Sequence, residues 1–87
     1  MKRKILVTGG AGFIGSSLAE RLCQNTENFV VIVDNLLTGS LSNIPKTVDQ
    51  NLKFIKADVN SFNDIASIFH AYSFDYVFHY AGTVPAL

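Results

Sequence analysis

The sequence predicts an α/β fold built on a doubly wound parallel sheet, of which this chain forms the first half. Short, almost continuously apolar runs recur along it, as expected of strands buried on both faces. Helix-like or loop-like segments separate these runs, and a glycine-rich turn follows the first one. Four strands joined by three crossover segments are most simply arranged in the spatial order 3-2-1-4.

The elements follow from apolar periodicity and from the residues that start and stop helices. The predicted elements are, in chain order, a strand at residues 5–8, a helix at 13–25, a strand at 29–34, a loop with one short helical turn at 35–51, a strand at 52–57, a helix after Ser61 and a strand at 75–81. Ser61 is an N-cap residue, and we expect Ile65, Ile68 and Phe69 to form the inner face of the second helix. The first three elements form a right-handed βαβ unit.

The turn after the first strand reads Thr8-Gly9-Gly10-Ala11-Gly12-Phe13-Ile14-Gly15. Gly9 and Gly10 accept positive φ and let the chain turn sharply. Gly12 lets a pyrophosphate approach the backbone, and Gly15 lets the helix pack closely on the sheet. The free N–H groups at the helix start would face the phosphates. In this βαβ setting the spacing predicts a Rossmann-type NAD site, the alternative being a glycine-rich turn that only connects strand to helix.

Asp34 ends the second strand about 20 residues after the glycines, where a carboxylate can accept hydrogen bonds from the ribose hydroxyls of adenosine. It would repel a ribose 2′-phosphate, and no Arg or Lys occurs between Asp34 and Pro45 to compensate. The sequence therefore favours NAD over NADP. The alternative is that Asp34 simply begins a turn before Asn35.

Composition limits the remaining functions. The chain has 87 residues, 48% of them apolar, and a formal net charge of zero, which argues against a nucleic-acid or anionic membrane surface. The single cysteine, Cys23, fits a reducing compartment and packs as a small hydrophobe in the helical pattern. No metal-ligand cluster is evident, and no apolar segment reaches the roughly 18 residues that span a membrane. We expect a soluble cytoplasmic protein.

Residues 1–87 are expected to form one incomplete NAD-binding domain without catalytic or substrate-binding parts. The fourth strand is apolar like an interior strand, yet no further residues are present to cover its outer edge. We expect that edge to self-associate or to pair with a partner.

The glycine turn, Asp34-Asn35-Leu36, Asp58-Val59 and His79-Tyr80-Ala81-Gly82 together resemble the extended short-chain dehydrogenase/reductase family. The similarity is closest to its NAD-dependent nucleotide-sugar 4-epimerases, dehydratases and decarboxylases, and covers the amino-terminal part of such enzymes. The cofactor contacts that the resemblance implies are Gly9, Gly12, Phe13, Ile14 and Gly15 at the pyrophosphate, Asp34 and Asn35 at the ribose with Thr38 and Gly39 near it, Asp58 and Val59 at the adenine, and Tyr80, Ala81 and Gly82 at the nicotinamide.

The family's chemistry, as the resemblance implies it, is transient oxidation of a sugar hydroxyl by hydride transfer to NAD, using a Tyr-x-x-x-Lys pair. None of the three tyrosines is followed four residues later by lysine, so no catalytic residue is assigned here and a nucleotide sugar is expected only in a full-length protein. His79, within an apolar strand, is interpreted as packed and hydrogen-bonded. Alternatives to the enzyme hypothesis are a non-catalytic NAD-binding module and an inactive truncated fragment.

Overall fold

The computed structural model describes residues 3–9, 12–36 and 51–80 of the chain. Its elements are, in chain order, β1 (Arg3–Thr8), α1 (Phe13–Cys23), β2 (Asn28–Asp34), β3 (Leu52–Lys56), α2 (Phe62–Ala71) and β4 (Tyr76–His79). All strand pairs are parallel and the sheet order is β3-β2-β1-β4. The predicted fold class and strand order are therefore confirmed. The predicted loop lies mostly at residues 37–50, outside the described residues.

The two central strands form the core because their side chains alternate between two covered faces of the sheet. Val7 and Ile32 are fully buried in a cluster on the α1 side. Leu6 and Val31 are fully buried on the opposite side, in a cluster that includes Ile68 of α2. This two-sided burial explains why residues 5–7 of β1 and residues 29–33 of β2 are apolar without interruption.

The cysteine of α1 is part of the core on its side of the sheet. Cys23 is buried, and its thiol donates a hydrogen bond from Sγ to the Glu20 carbonyl oxygen at 3.3 Å. It packs in the same cluster as Ala19, one helical turn earlier. The interpretation of Cys23 as a small buried hydrophobe is confirmed.

α1 ends at Cys23, two residues before the predicted end at residue 25, where two asparagine side chains cap its last carbonyl groups. Asn28 donates from Nδ2 to the Leu22 carbonyl at 2.8 Å, and Asn51 donates from Nδ2 to the Cys23 carbonyl at 2.6 Å. Terminal helix carbonyls need such partners. Asn51 lies immediately before β3, far along the chain, so apolar periodicity could not reveal this helix end.

Fewer residues of α2 face the core than predicted. Ile68 is buried and Ile65 is half-buried, as expected. The prediction for Phe69 is wrong, because its side chain is 45% exposed. Its ring instead meets Phe74 edge-on, with centroids 5.5 Å apart, beyond the end of the helix.

The fourth strand is shorter than the predicted 75–81. Asp75 precedes it and is joined to β1 twice, accepting the Lys4 N–H at 2.8 Å through Oδ2 and donating its own N–H to the Lys4 carbonyl at 2.7 Å. Within the described residues β4 lies at one edge of the sheet, and Tyr76 and Val77 are about half exposed. The described helices include none long and apolar enough to cross a membrane.

Candidate functional site

The strands are parallel, so their carboxyl ends lie together along one side of the sheet. We call this side the carboxyl edge, to distinguish it from the lateral edge that β4 forms. Backbone hydrogen bonds continue past the strand ends and hold this edge together. Tyr80, just after β4, donates its N–H to the Thr8 carbonyl at 2.9 Å. Gly9, just after β1, donates to the Val33 carbonyl at 2.7 Å. The end of β4, the glycine turn and the end of β2 are thereby fixed side by side.

The glycine turn leads directly into α1. Gly9 has φ 73°, a left-handed conformation that glycine adopts without steric penalty, and its carbonyl accepts the Gly12 N–H at 3.1 Å. The first helical hydrogen bond runs from the Ser16 N–H to the Gly12 carbonyl at 3.0 Å. The N–H groups of the preceding helical residues therefore have no acceptor within the helix.

The start of α1 is suited to an anion. Gly12 provides no side-chain cap, and the first turn contains no acidic residue to neutralise the positive end of the helix dipole. Ile14 in this turn is 67% exposed, whereas Gly15 is buried against the rest of the chain. A helix start whose first N–H groups have no acceptor within the helix, and whose first turn has no acidic residue, is a favourable phosphate site.

Asp34 forms the turn that was one of the two hypotheses left open by the sequence, and its position is compatible with the other. Its Oδ1 accepts the Leu36 N–H at 2.7 Å, so the residue does begin a turn. Its side chain is 8% exposed, which fixes the carboxylate at the sheet edge beside the glycine turn. Leu36 has φ 65°, an uncommon conformation for a non-glycine residue.

Asp58 lies two residues after the end of β3. The Ala57 N–H donates to the Asp34 carbonyl at 3.1 Å, which brings this segment next to β2. Asp58 Oδ1 accepts the Asn60 N–H at 2.8 Å, a turn of the same kind as that at Asp34. The Ser61 Oγ then caps α2 by accepting the Asp64 N–H at 3.4 Å, as predicted.

His79 links β4 to β1 through its side chain. Its Nδ1 and the Thr8 Oγ1 share a hydrogen bond of 2.6 Å. The predicted hydrogen bonding is therefore confirmed, but the predicted packing is wrong, because His79 is exposed on the edge strand. The last residue of β4 is thus fixed directly beside the start of the glycine turn.

The structure brings the described members of the predicted site to one edge. These are Gly9, Gly12, Ile14, Gly15, Asp34, Asn35, Asp58, Val59 and Tyr80, with the backbone of Phe13. The predicted Thr38, Gly39, Ala81 and Gly82, together with the side chain of Phe13, lie outside the described residues. Across the described ranges, His, Cys, Asp and Glu side chains form no group of three that could hold a metal ion.

Sequence reasoning missed one charged neighbour of Asp34. Lys56, the last residue of β3, is the residue paired with Asp34 across the sheet. The expectation that no basic residue is near Asp34 considered only the residues that follow it in sequence. Aligning the ends of the predicted strands, at residues 34 and 57, would have paired Asp34 with Ala57, so only the observed register places the lysine opposite the carboxylate.

Comparison with known proteins shows which family the chain belongs to. The sequence profile of the NAD dependent epimerase/dehydratase family matches residues 5–86. The chain belongs to this family. The predicted membership is confirmed, and the family's NAD dependence confirms the predicted cofactor at the family level.

Individual members of the family show the extent of the similarity. UDP-glucuronic acid decarboxylase 6 of Arabidopsis thaliana is 44% identical over 70 residues, covering 77% of this chain and 20% of that protein. The dTDP-glucose 4,6-dehydratase of Haemophilus influenzae is 38% identical over 79 residues, covering 88% of this chain and 23% of that protein. The UDP-glucose 4-epimerase of Thermus thermophilus, solved with NAD, has a TM-score of 0.79 at 34% identity, covering 93% of this chain and 24% of that one.

Proposed function

We propose that this chain forms the NAD-binding part of a nucleotide-sugar epimerase, dehydratase or decarboxylase. The observation that carries the proposal is the order of the strand ends along the carboxyl edge, β3-β2-β1-β4. Asp58, Asp34, the α1 start and Tyr80 follow one another in that order. The adenine, adenosine ribose, pyrophosphate and nicotinamide of NAD follow one another in the same way, so one extended dinucleotide fits the edge.

The pyrophosphate is assigned to the start of α1. Its first N–H groups, which have no acceptor within the helix, are available to donate hydrogen bonds, and the helix dipole supplies a positive potential that no acidic residue in the first turn offsets. Gly12 is the residue that we expect to lie closest to the phosphates. A Cβ built on Gly12 would lie 3.4 Å from the Gly9 carbonyl oxygen, an ordinary contact, so among the described atoms the fold itself tolerates a methyl group there.

The adenosine half is assigned to the ends of β2 and β3. Asp34, fixed by the Leu36 N–H, is proposed to accept hydrogen bonds from the ribose hydroxyls, with Asn35 beside it. Asp58 and Val59 are proposed to contact the adenine. Thr38 and Gly39 are proposed to complete the ribose site.

The nicotinamide is assigned to the end of β4, where Tyr80 is held against Thr8 and Ala81 and Gly82 follow. NAD supplies the ability to accept a hydride and return it. The 87 residues contain no Tyr-x-x-x-Lys, so we propose that they bind and orient the cofactor without providing the base for the sugar. Nucleotide sugars are the substrate class we propose, because the matched relatives named above act on UDP- or dTDP-linked sugars.

The substitution Gly12→Ala tests the cofactor site. It should be made in the natural polypeptide that contains this chain, with NAD affinity measured by titration calorimetry. A methyl group forced into the pyrophosphate should weaken binding by about tenfold or more. The unfolding midpoint without NAD should stay close to that of the wild type, because the same methyl group meets only an ordinary contact within the described protein.

Two results would contradict the proposal. A folded wild-type protein that does not bind NAD would remove the cofactor assignment altogether. A Gly12→Ala variant with wild-type affinity and wild-type stability would remove the pyrophosphate from the start of α1.

A further inference from the structure

We infer that Lys56 is a second determinant of cofactor preference, whose attraction for a ribose 2′-phosphate is overridden by Asp34. The inference rests on the proposed NAD site. The observation behind it is the register of β2 and β3, in which Asp34 and Lys56 are paired. Paired residues on neighbouring strands carry their side chains on the same face, with Cβ atoms about 5 Å apart.

The face can be identified from the residues one pair earlier in each strand. Ile32 and Phe54 are paired and pack in the cluster that contains Ala19 of α1. Because side chains alternate along a strand, Asp34 and Lys56 leave the sheet on this same side. The α1 start, to which the pyrophosphate is assigned, also lies on this side.

The two side chains differ in how they meet solvent. Asp34 is buried and fixed by the Leu36 N–H, whereas Lys56 is exposed. A lysine stem is long and flexible, so its ammonium can reach past the carboxylate into the solvent above it. A ribose bound through its hydroxyls to Asp34 would place a 2′-phosphate between these two charges.

The balance of the two charges sets the preference. The Asp34 carboxylate would touch the ribose directly, so its repulsion of a phosphate acts at shorter range than the attraction by Lys56. NAD is then preferred while both residues are present. When the carboxylate is neutralised, the lysine remains and the preference should move toward NADP.

Asp34→Asn is the appropriate first change. The asparagine side chain keeps an oxygen that can accept the Leu36 N–H, so the turn is preserved while the negative charge is removed. Asp58 lies two residues beyond Lys56 and also carries negative charge. It is the same in every variant, so its contribution cancels when variants are compared.

The experiment compares three variants of the natural polypeptide that contains this chain. They are the single variant Asp34→Asn, the double variant Asp34→Asn with Lys56→Gln, and the double variant Asp34→Asn with Lys53→Gln. Lys53 is the matched control, because it is an exposed lysine of the same strand paired with Val31 on the opposite face. The quantity measured is the ratio of the dissociation constants of NADP and NAD. Binding of 2′-phospho-AMP and AMP gives the same ratio for the adenosine half alone.

Asp34→Asn should shift the ratio toward NADP by about tenfold, and adding Lys56→Gln should reverse part of that shift. Lys53→Gln should leave the shift in place, and Lys56→Arg should retain it because the charge is kept. The shift should also shrink at about 1 M salt, where the screening length is about 3 Å.

Equal effects of Lys56→Gln and Lys53→Gln, or no effect of either, would overturn the inference while the NAD site stands. A folded wild type that binds no NAD would overturn the proposed function and this inference with it. If Lys56→Gln lowers NAD and NADP affinity equally, the lysine acts on the whole cofactor and the inference is wrong.

Discussion

At the scale of single residues, Asp34 shows that a turn and a ribose contact, which are alternatives in the sequence, are compatible in the structure. An acid after a buried strand is typical both of a ribose contact and of a turn. The structure shows the turn, since Oδ1 accepts the Leu36 N–H at 2.7 Å. The turn also orients the carboxylate, which is what a ribose contact requires. The two interpretations are therefore complementary.

Leu36 gives a prediction about backbone strain. At φ 65° a side chain crowds the backbone, so glycine should be preferred over alanine at this position by about 1 kcal/mol in the free energy of unfolding. Leu36→Gly and Leu36→Ala lose nearly the same side-chain packing, so their difference isolates the backbone. Urea denaturation of the two variants, in the natural polypeptide that contains this chain, measures this difference.

The same pair of substitutions at Leu22 is the control. Leu22 is half-buried like Leu36 but lies within α1, where alanine should be more stable than glycine by about 1 kcal/mol. Opposite signs at the two positions would support a left-handed Leu36. Alanine more stable than glycine at both positions would contradict it.

At the scale of elements, the sequence predicted β1, β2 and the start of α1 well because local residues determine them. Continuous apolar runs define the strands, and a glycine turn leads into the helix. The end of α1 and the exposure of Phe69 were missed because they depend on partners far along the chain or beyond the helix. Likewise, Lys56 lies beside Asp34 only through strand pairing.

Asn51 tests the contact that ends α1. Its side chain is buried and donates from Nδ2 to the Cys23 carbonyl at 2.6 Å. Asn51→Ala should lower the free energy of unfolding by about 1–3 kcal/mol, because that buried carbonyl loses its donor. Asn51→Asp should be less stable than Asn51→Ala at neutral pH, because it places a carboxylate against the carbonyl oxygen.

The pH dependence distinguishes this explanation from a simple loss of packing. Burial raises the pKa of the introduced carboxyl above its unfolded value, so the folded state of Asn51→Asp holds more protons and loses stability as pH rises. The free energy of unfolding of Asn51→Asp is expected to be lower than that of Asn51→Ala at neutral pH, and this difference should become smaller at about pH 4. Urea denaturation at the two pH values measures it, and a deficit that does not change with pH would argue against a buried carboxyl at this site.

At the scale of the whole molecule, the carboxyl edge of the sheet combines features that are each weak evidence for a cofactor site when taken alone. Parallel strands place four features along this edge in the order β3-β2-β1-β4. They are the turns at Asp58 and Asp34, the glycine turn and the end of β4. Hydrogen bonds from Tyr80 to Thr8, from Gly9 to Val33 and from Ala57 to Asp34 run from one side of this edge to the other. The edge can therefore act as one extended surface.

The order of the proposed contacts can be tested by comparing NAD with ADP-ribose, which lacks the nicotinamide. Hydrogen exchange of the natural polypeptide that contains this chain should be slowed by both ligands at the start of α1 and at Leu36. Only NAD should add further protection at the end of β4, including the Tyr80 N–H. With both ligands at about 100 times their dissociation constants, global stabilisation should be equal at about 2.7 kcal/mol, so the difference at β4 reports position alone. Equal protection of β4 by the two ligands, with the added protection by NAD at Leu36 instead, would reverse the proposed direction of the cofactor along the edge.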